Sequence, residues 1–91
     1  MKKSVRLTLS GSLQPMFFLP YVKDEATKLN VRGFVRELED KRVEVFMEGD
    51  STAVETMIPK CKTGPYNTKI RDVEMRDERF QDFKEFKILR I

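Results

Sequence analysis

Residues 33–49 read GFVRELEDKRVEVFMEG, and this stretch decides the fold. The runs Phe34–Leu38 and Arg42–Glu48 are rich in aromatic and β-branched residues, and the second alternates apolar with charged side chains. Both features are typical of strands that are buried on one face. The polar turn Glu39-Asp40-Lys41 separates the two runs. The stretch therefore predicts a β-hairpin.

The chain before the hairpin predicts a strand, a loop and a helix. Ser4–Ser10 alternates apolar and polar residues, which indicates a half-buried strand, and Gly11 ends it. Ser12–Pro20 contains two prolines and predicts a loop. Tyr21–Leu29 carries one apolar stripe at helical spacing, and Pro20 suits the first turn of that helix because no backbone N–H is needed there.

The chain after the hairpin predicts a second helix and two further strands. Residues 54–61 place apolar side chains at helical spacing, after three candidate N-cap residues, Asp50, Ser51 and Thr52. The dipeptide Gly64-Pro65 ends this helix. Lys69–Met75 and Phe86–Leu89 predict strands. The charged segment between them, Asp77–Glu85, fits either a short turn of helix or a loop.

The predicted order is β, α, β, β, α, β with a short terminal strand. Right-handed crossovers bring both helices to the same face of one antiparallel sheet. We therefore expect an α+β fold, a two-layer α/β sandwich of the ferredoxin-like type. Residues 1–91 suit a single domain, since autonomous domains seldom fall much below about 50 residues. We expect a monomer.

Composition excludes several classes of chemistry. The chain has no histidine and one cysteine, Cys61, so a Ser-His-Asp triad, a Cys-His pair and a zinc site built from these residues are excluded. We therefore expect no metal site built from these residue types. Cys61 lies on the predicted helical stripe and is interpreted as a small buried hydrophobe.

The charge pattern favours a solvated surface. The 18 basic and 15 acidic residues give a net charge of +3 and are interleaved along the chain. The basic residues between Lys60 and Arg71 are the nearest approach to a nucleic-acid patch, and they do not form the stripe that such binding favours. No segment resembles a signal peptide or a membrane span, so we expect a cytoplasmic protein without membrane contact.

Two motifs carry a resemblance to a known family. The first strand and the residues after it are similar to the acylphosphatase signature G-x-V-Q-G-V-G-F-R-x-x-V, and residues 33–49 resemble the second motif of that family, G-W-V-R-N-L-x-D-G-x-V-E-V followed by E-G. The similarity extends from about Val5 to Ile88. The matching signature positions are Gly11, Gln14, Phe18 and Val22.

The resemblance implies an activity and a site. Acylphosphatases hydrolyse the carboxyl-phosphate bond of acyl phosphates without a metal or cofactor. A cradle of backbone N–H groups after the first strand holds the phosphate, an arginine at the end of that loop clamps it, and an asparagine on the second strand positions water. The equivalent loop positions in this sequence are Gln14, Pro15, Met16, Phe17, Phe18 and Leu19.

Both catalytic positions of the family are substituted. In register, Leu19 stands at the clamp arginine and Glu37 at the asparagine, so no catalytic residue is intact. Leu19 cannot donate to a phosphate, and Glu37 would repel one. Pro15 has no N–H, and Phe17 replaces a glycine of the cradle. We predict that the domain hydrolyses acyl phosphates poorly or not at all.

Three functions remain open at this point. The apolar cluster at residues 16–19 could bind a protein partner, since exposed apolar patches often mark such surfaces. Arg36 or Arg6 could replace the missing clamp and preserve hydrolysis. The element order is also shared with RNA-recognition domains, and Arg32–Val35 superficially echoes their aromatic motif. That motif belongs on the third strand, where only Phe46 is aromatic, so RNA binding is disfavoured.

Overall fold

The computed structural model describes residues 1–90. It contains five strands and two helices in the predicted order. In chain order they are β1 (Lys2–Ser12), α1 (Pro15–Lys28), β2 (Arg32–Glu37), β3 (Val43–Asp50), α2 (Ser51–Thr63), β4 (Lys69–Asp77) and β5 (Phe86–Leu89). No helix within these residues is long and apolar enough to cross a membrane.

The strands form one sheet in the order β4-β1-β3-β2-β5. The predicted two-layer ferredoxin-like fold is confirmed, but the sheet is mixed because β5 runs parallel to β2. The prediction of a wholly antiparallel sheet is wrong at this edge. The reason is the position at which β4 ends. Its last residues pair with the start of β1, and β2 starts at this same end of the sheet. The chain crosses at that end and enters β5 in the direction of β2.

The two faces of the sheet bury different kinds of side chain. On one face, valine, leucine and methionine side chains of β1 and β3 pack beneath both helices. Phe18 and Val22 from α1 and Met57 and Cys61 from α2 are fully buried in this layer. Burial raises the pKa of the Cys61 thiol to about 12, so this side chain is a neutral component of the core.

The segment between β4 and β5 covers part of the other face. It is a loop, which decides between the two structures that the sequence allowed. Glu48 of β3, fully buried, accepts hydrogen bonds from the backbone N–H groups of Gln81 (2.6 Å) and Phe83 (2.5 Å). The Phe83 ring then lies 5.6 Å from the Phe46 ring and 5.8 Å from the Phe34 ring. Glu48 thus fixes this loop to the sheet.

α1 starts earlier than predicted, and α2 starts after one of the three candidate N-cap residues. α1 begins at Pro15, so the predicted loop over Ser12–Pro20 is wrong from Pro15 onward, and Pro20 lies inside the helix. Pro15 has the backbone angle of a first helical residue, and no glycine between it and Lys28 interrupts the helix. At α2, Asp50 is the N-cap: its carboxylate accepts the Thr52 N–H at 3.2 Å.

Candidate functional site

The first turn of α1 occupies the place where the resemblance puts a phosphate-binding loop. The N–H groups of Phe17 and Phe18 both donate to the carbonyl of Gln14, at 2.9 and 2.8 Å. Pro15 has no N–H to offer. These donors therefore serve the start of the helix, and residues 15–19 are not the open loop that the sequence predicted.

The side chains of this turn point in two directions. Phe18 is fully buried and Leu19 is 4% exposed, both within the core under α1. Met16 and Phe17 are 78% and 59% exposed. The apolar cluster that the sequence placed in one exposed loop is thus split: its second half stabilises the core and its first half faces solvent.

A pocket of about 420 Å³ joins Leu19 and Glu37. Leu19 comes from α1 and Glu37 from the end of β2, on the helix-covered face, because Val35 two residues earlier is a core residue. The structure thus brings together the two positions that the resemblance assigns to catalysis. The other lining residues are Leu38, Glu39, Lys41, Leu89 and Arg90.

The pocket carries charges of both signs that do not pair with one another. Two acids, Glu37 and Glu39, and two cations, Lys41 and Arg90, line it. Within residues 1–90, none of these four side chains forms an ion pair. Sequence reasoning missed both cations. The available signal was Lys41, which stands where the second family motif has a glycine, in the hairpin turn.

The hairpin turn beside this pocket is held by its own backbone. The Leu38 N–H donates to the Arg42 carbonyl at 2.7 Å, and the Lys41 N–H donates to the Leu38 carbonyl at 3.1 Å. The Asp40 carboxylate accepts from both the backbone N–H and the guanidinium of Arg42, at 3.2 and 2.7 Å. The Arg42 N–H holds the pKa of Asp40 below its usual value. Lys41 therefore has a fixed backbone position.

The two arginines that the sequence offered as substitute clamps lie on the opposite face of the sheet. Arg6 and Arg36 both pair with Glu44, at 3.0 and 2.6 Å, and Arg6 also pairs with Glu78 at 3.3 Å. Burial works to lower the pKa of Arg6, but its hydrogen bonds to Glu78 and Glu44 raise it overall. Neither arginine lines the pocket that contains Leu19 and Glu37.

The exposed half of the apolar cluster lies beside the loop between α2 and β4. A shallow pocket of about 320 Å³ is lined by Gln14 and Phe17 on one side and by residues 65–67 on the other. Tyr66 in this loop is 92% exposed. Lys69 and Arg71, two residues that the sequence singled out for their charge, line a further pocket with Gly11 and Ser12. Apolar and basic side chains thus share one end of the molecule.

RNA-recognition domains of this topology bind RNA on the sheet face opposite the helices. In this protein, the loop between β4 and β5 covers the aromatic rings on that face. Phe46 is fully buried and Phe34 is 8% exposed, because the Phe83 loop lies on both rings. Stacking of bases requires exposed aromatic rings.

The described residues 1–90 also contain no group of three or more Cys, Asp or Glu side chains that could hold a metal ion.

Comparison with known proteins places these observations in a family. The acylphosphatase family model matches residues 5–88. An acylphosphatase from Rubrobacter xylanophilus is 38% identical over 84% of this chain and 69% of its own, and one from Pyrobaculum arsenaticum is 39% identical over 91% and 90%. The crystal structure of the Bacillus subtilis acylphosphatase superposes with a TM-score of 0.91 at 27% identity, covering 99% of this chain and 100% of that one. The chain therefore belongs to the acylphosphatase family.

Proposed function

We propose that this acylphosphatase-family domain does not hydrolyse acyl phosphates and acts instead as a binding module. The start of α1 at Pro15 carries the proposal, because it turns the phosphate-loop positions into a helical turn. In that turn the Phe17 and Phe18 N–H groups are already bonded, and Leu19 is buried where the family has a charged clamp. An acyl phosphate thus meets neither a nest of free donors in this turn nor a guanidinium at the clamp position.

The negative charge of Glu37 further disfavours the binding of an acyl phosphate. The carboxylate lines the same pocket as Leu19, where the family would place a phosphate. At a separation of about 4 Å and an effective dielectric constant of about 20, two like charges oppose each other by about 4 kcal/mol. In the family, as the resemblance implies, an asparagine at this position holds the attacking water. The substitution therefore removes a positioning group and adds repulsion.

The hydrolysis of a model acyl phosphate, benzoyl phosphate, tests the loss of activity. We expect the wild-type domain to leave the spontaneous rate unchanged. The variant Pro15→Gly, Phe17→Gly, Leu19→Arg, Glu37→Asn restores the loop, the clamp and the amide together, and we expect it to gain turnover. The variant with only Leu19→Arg and Glu37→Asn is the matched control. It should gain less, because the helical turn still holds the donors.

Two results would overturn this half of the proposal. One is wild-type turnover in the range of ordinary enzymes, roughly 1–10³ per second. The other is a fourfold variant that folds, as judged by circular dichroism, and remains inactive, since the assigned cause of the loss would then be wrong.

The binding half of the proposal concerns the end of the molecule formed by α1 and the loop after α2. Met16, Phe17 and Tyr66 are exposed there, and residues 11–23 and 56–71 contain no acid. Lys69 and Arg71 are exposed beside them. An apolar surface flanked by basic side chains favours an acidic protein segment that carries apolar side chains.

A short peptide that alternates glutamate and leucine is the probe for this surface. We expect it to bind in low salt, to weaken as salt is added, and to lose affinity when Phe17 and Tyr66 are replaced by serine. The peptide with lysine in place of glutamate is the control and should not bind. Equal binding of both peptides, or binding that ignores the two serine substitutions, would contradict the assignment.

One observation favours a second candidate, a working acylphosphatase with a substitute clamp. Arg90 lines the pocket beside Leu19 and Glu37, which Arg6 and Arg36 do not. If the wild-type domain hydrolyses benzoyl phosphate, Arg90→Ala should remove that turnover and Arg36→Ala should retain it. Turnover that survives Arg90→Ala would rule out this candidate.

A further inference from the structure

We propose that the pocket at Leu19 and Glu37 binds a small zwitterion with an aliphatic body, of the class of a free aliphatic amino acid. The inference goes beyond the proposed function. The proposed site is the pocket in which Leu19 and Glu37 stand at the family's two catalytic positions. The surface at Met16 and Tyr66 is not part of it.

The pocket is lined partly by apolar side chains. Three leucines, Leu19, Leu38 and Leu89, give the pocket an apolar wall, and Leu89 is 39% exposed although it ends a strand of the sheet. A volume of about 420 Å³ lies at the small end of the roughly 300–1,000 Å³ that ligand pockets occupy. A compact aliphatic group therefore fits this wall better than a nucleotide or a large cofactor.

The charged side chains that line the pocket have both signs. A simple anion would meet Glu37 and Glu39, and a simple cation would meet Lys41 and Arg90. These charges form no ion pairs with one another or with other side chains in residues 1–90, so both kinds remain able to bind. A ligand with an ammonium and a carboxylate satisfies both at once. The half-buried Glu37 is the acceptor for the ammonium, and the two basic side chains face the carboxylate.

Lys41 has an unusual backbone conformation. Its φ is +75°, in the left-handed region that glycine adopts readily and other residues seldom do. The chain thus places a cation at a strained turn position, where glycine would fold with less strain. Strain of this kind at the rim of a pocket indicates a role for the side chain beyond folding. Here that role is to hold the carboxylate.

Titration calorimetry with L-leucine tests the proposal. We expect a dissociation constant of about 1 mM or tighter, and at least tenfold weaker binding of two truncated analogues. The analogues are 4-methylpentanoate, which lacks the ammonium, and 3-methylbutylamine, which lacks the carboxylate. Glycine, which lacks the aliphatic body, should not bind. Equal binding of leucine and 4-methylpentanoate would overturn the proposal, and so would no binding of L-leucine up to about 10 mM.

Two variants separate a binding role from a structural one. Lys41→Gly should raise the thermal midpoint, because the strained backbone is relieved, yet weaken leucine binding at least fivefold. Glu37→Gln should weaken leucine binding similarly and strengthen the binding of 4-methylpentanoate, because a carboxylate that repels this anion is removed. Lys23→Ala, on the exposed side of α1, is the control and should change neither quantity. A Lys41→Gly variant that is more stable and binds leucine as tightly as wild type would overturn the assignment.

This test is distinct from the test of the proposed function. Turnover of benzoyl phosphate by the wild-type domain would end the non-hydrolytic proposal without any leucine measurement. Absence of both turnover and leucine binding would overturn the zwitterion site alone.

Discussion

The sheet face opposite the two helices (the open face) and the pocket at the end of β2 differ in whether their charged side chains are paired. On the open face, Glu44 joins Arg6 and Arg36, and both oxygens of Glu48 accept backbone N–H groups. At the pocket, Glu37 and Arg90 stand without ion-pair partners among residues 1–90. Buried charges that are paired maintain the local fold, whereas unpaired charges of both signs around a cavity remain able to bind a ligand.

This difference also supports the proposal that the arginines of the open face do not serve as a phosphate clamp. Arg6 is 17% exposed, and Glu44 and Glu78 already bind it. Moving it would break its pairs with Glu44 and Glu78 and leave the buried Glu44 with Arg36 alone, which is unfavourable because a buried carboxylate needs its partners. The arginines that are most firmly held are therefore the least able to be recruited.

The largest expected effect comes from removing Glu48. Glu48→Ala leaves the N–H groups of Gln81 and Phe83 without their acceptor, and each such loss costs about 1–3 kcal/mol. With the cavity left behind, we expect the free energy of unfolding to fall by about 3–5 kcal/mol. Chemical denaturation measures it.

The matched control is an acid at the pocket. Glu37→Ala removes a carboxylate without an ion pair, so we expect a change within about 0.5 kcal/mol. Comparable losses for Glu37→Ala and Glu48→Ala would contradict the distinction between the two regions.

An intermediate effect is expected at Glu44. Glu44→Ala breaks two ion pairs, but Arg36 is 41% exposed and regains water, so only the pair with Arg6 should count fully. We expect a loss of about 1–2 kcal/mol. A double-mutant cycle of Glu44→Ala with Arg6→Ala should show coupling, whereas one of Glu37→Ala with Arg90→Ala should show none. Coupling in the second cycle would show that the pocket charges interact in solution.

Much of the fold was predictable because its signals are local. The hairpin at residues 33–49 and the helical stripe at residues 54–61 each follow from the spacing of apolar side chains. The fixed hand of crossover connections then places both helices on one face. The direction of β5 was not predictable in this way, because it depends on where β4 ends relative to β2, which is a property of the whole sheet.

The candidate site was predictable only in part. The resemblance pointed to Leu19 and Glu37, and the fold brings these two positions to one pocket. The start of α1 was missed, since an apolar cluster between Pro15 and Pro20 fits a loop as well as a helix until tertiary burial of Phe18 decides. Arg90 was missed because it is distant in sequence from Glu37, and only the pairing of β5 with β2 brings it there.

The smallest expected effect is a pH dependence on the open face. The hydrogen bond from Arg6 holds the pKa of Glu78 below its usual value, and Arg76 contributes further. A lowered pKa in the folded state means that this carboxylate stabilises the fold above the pKa of the unfolded chain, about 4.3, and that this contribution disappears as the pH falls through the folded value. Glu78→Gln should therefore be less stable than wild type at pH 7, and the two should converge in acid. Denaturation curves across that range measure the difference, and Glu39→Gln, at an exposed residue of the pocket rim, is the control. A gap between wild type and Glu78→Gln that stays constant in acid would show that Arg6 is held by Glu44 alone.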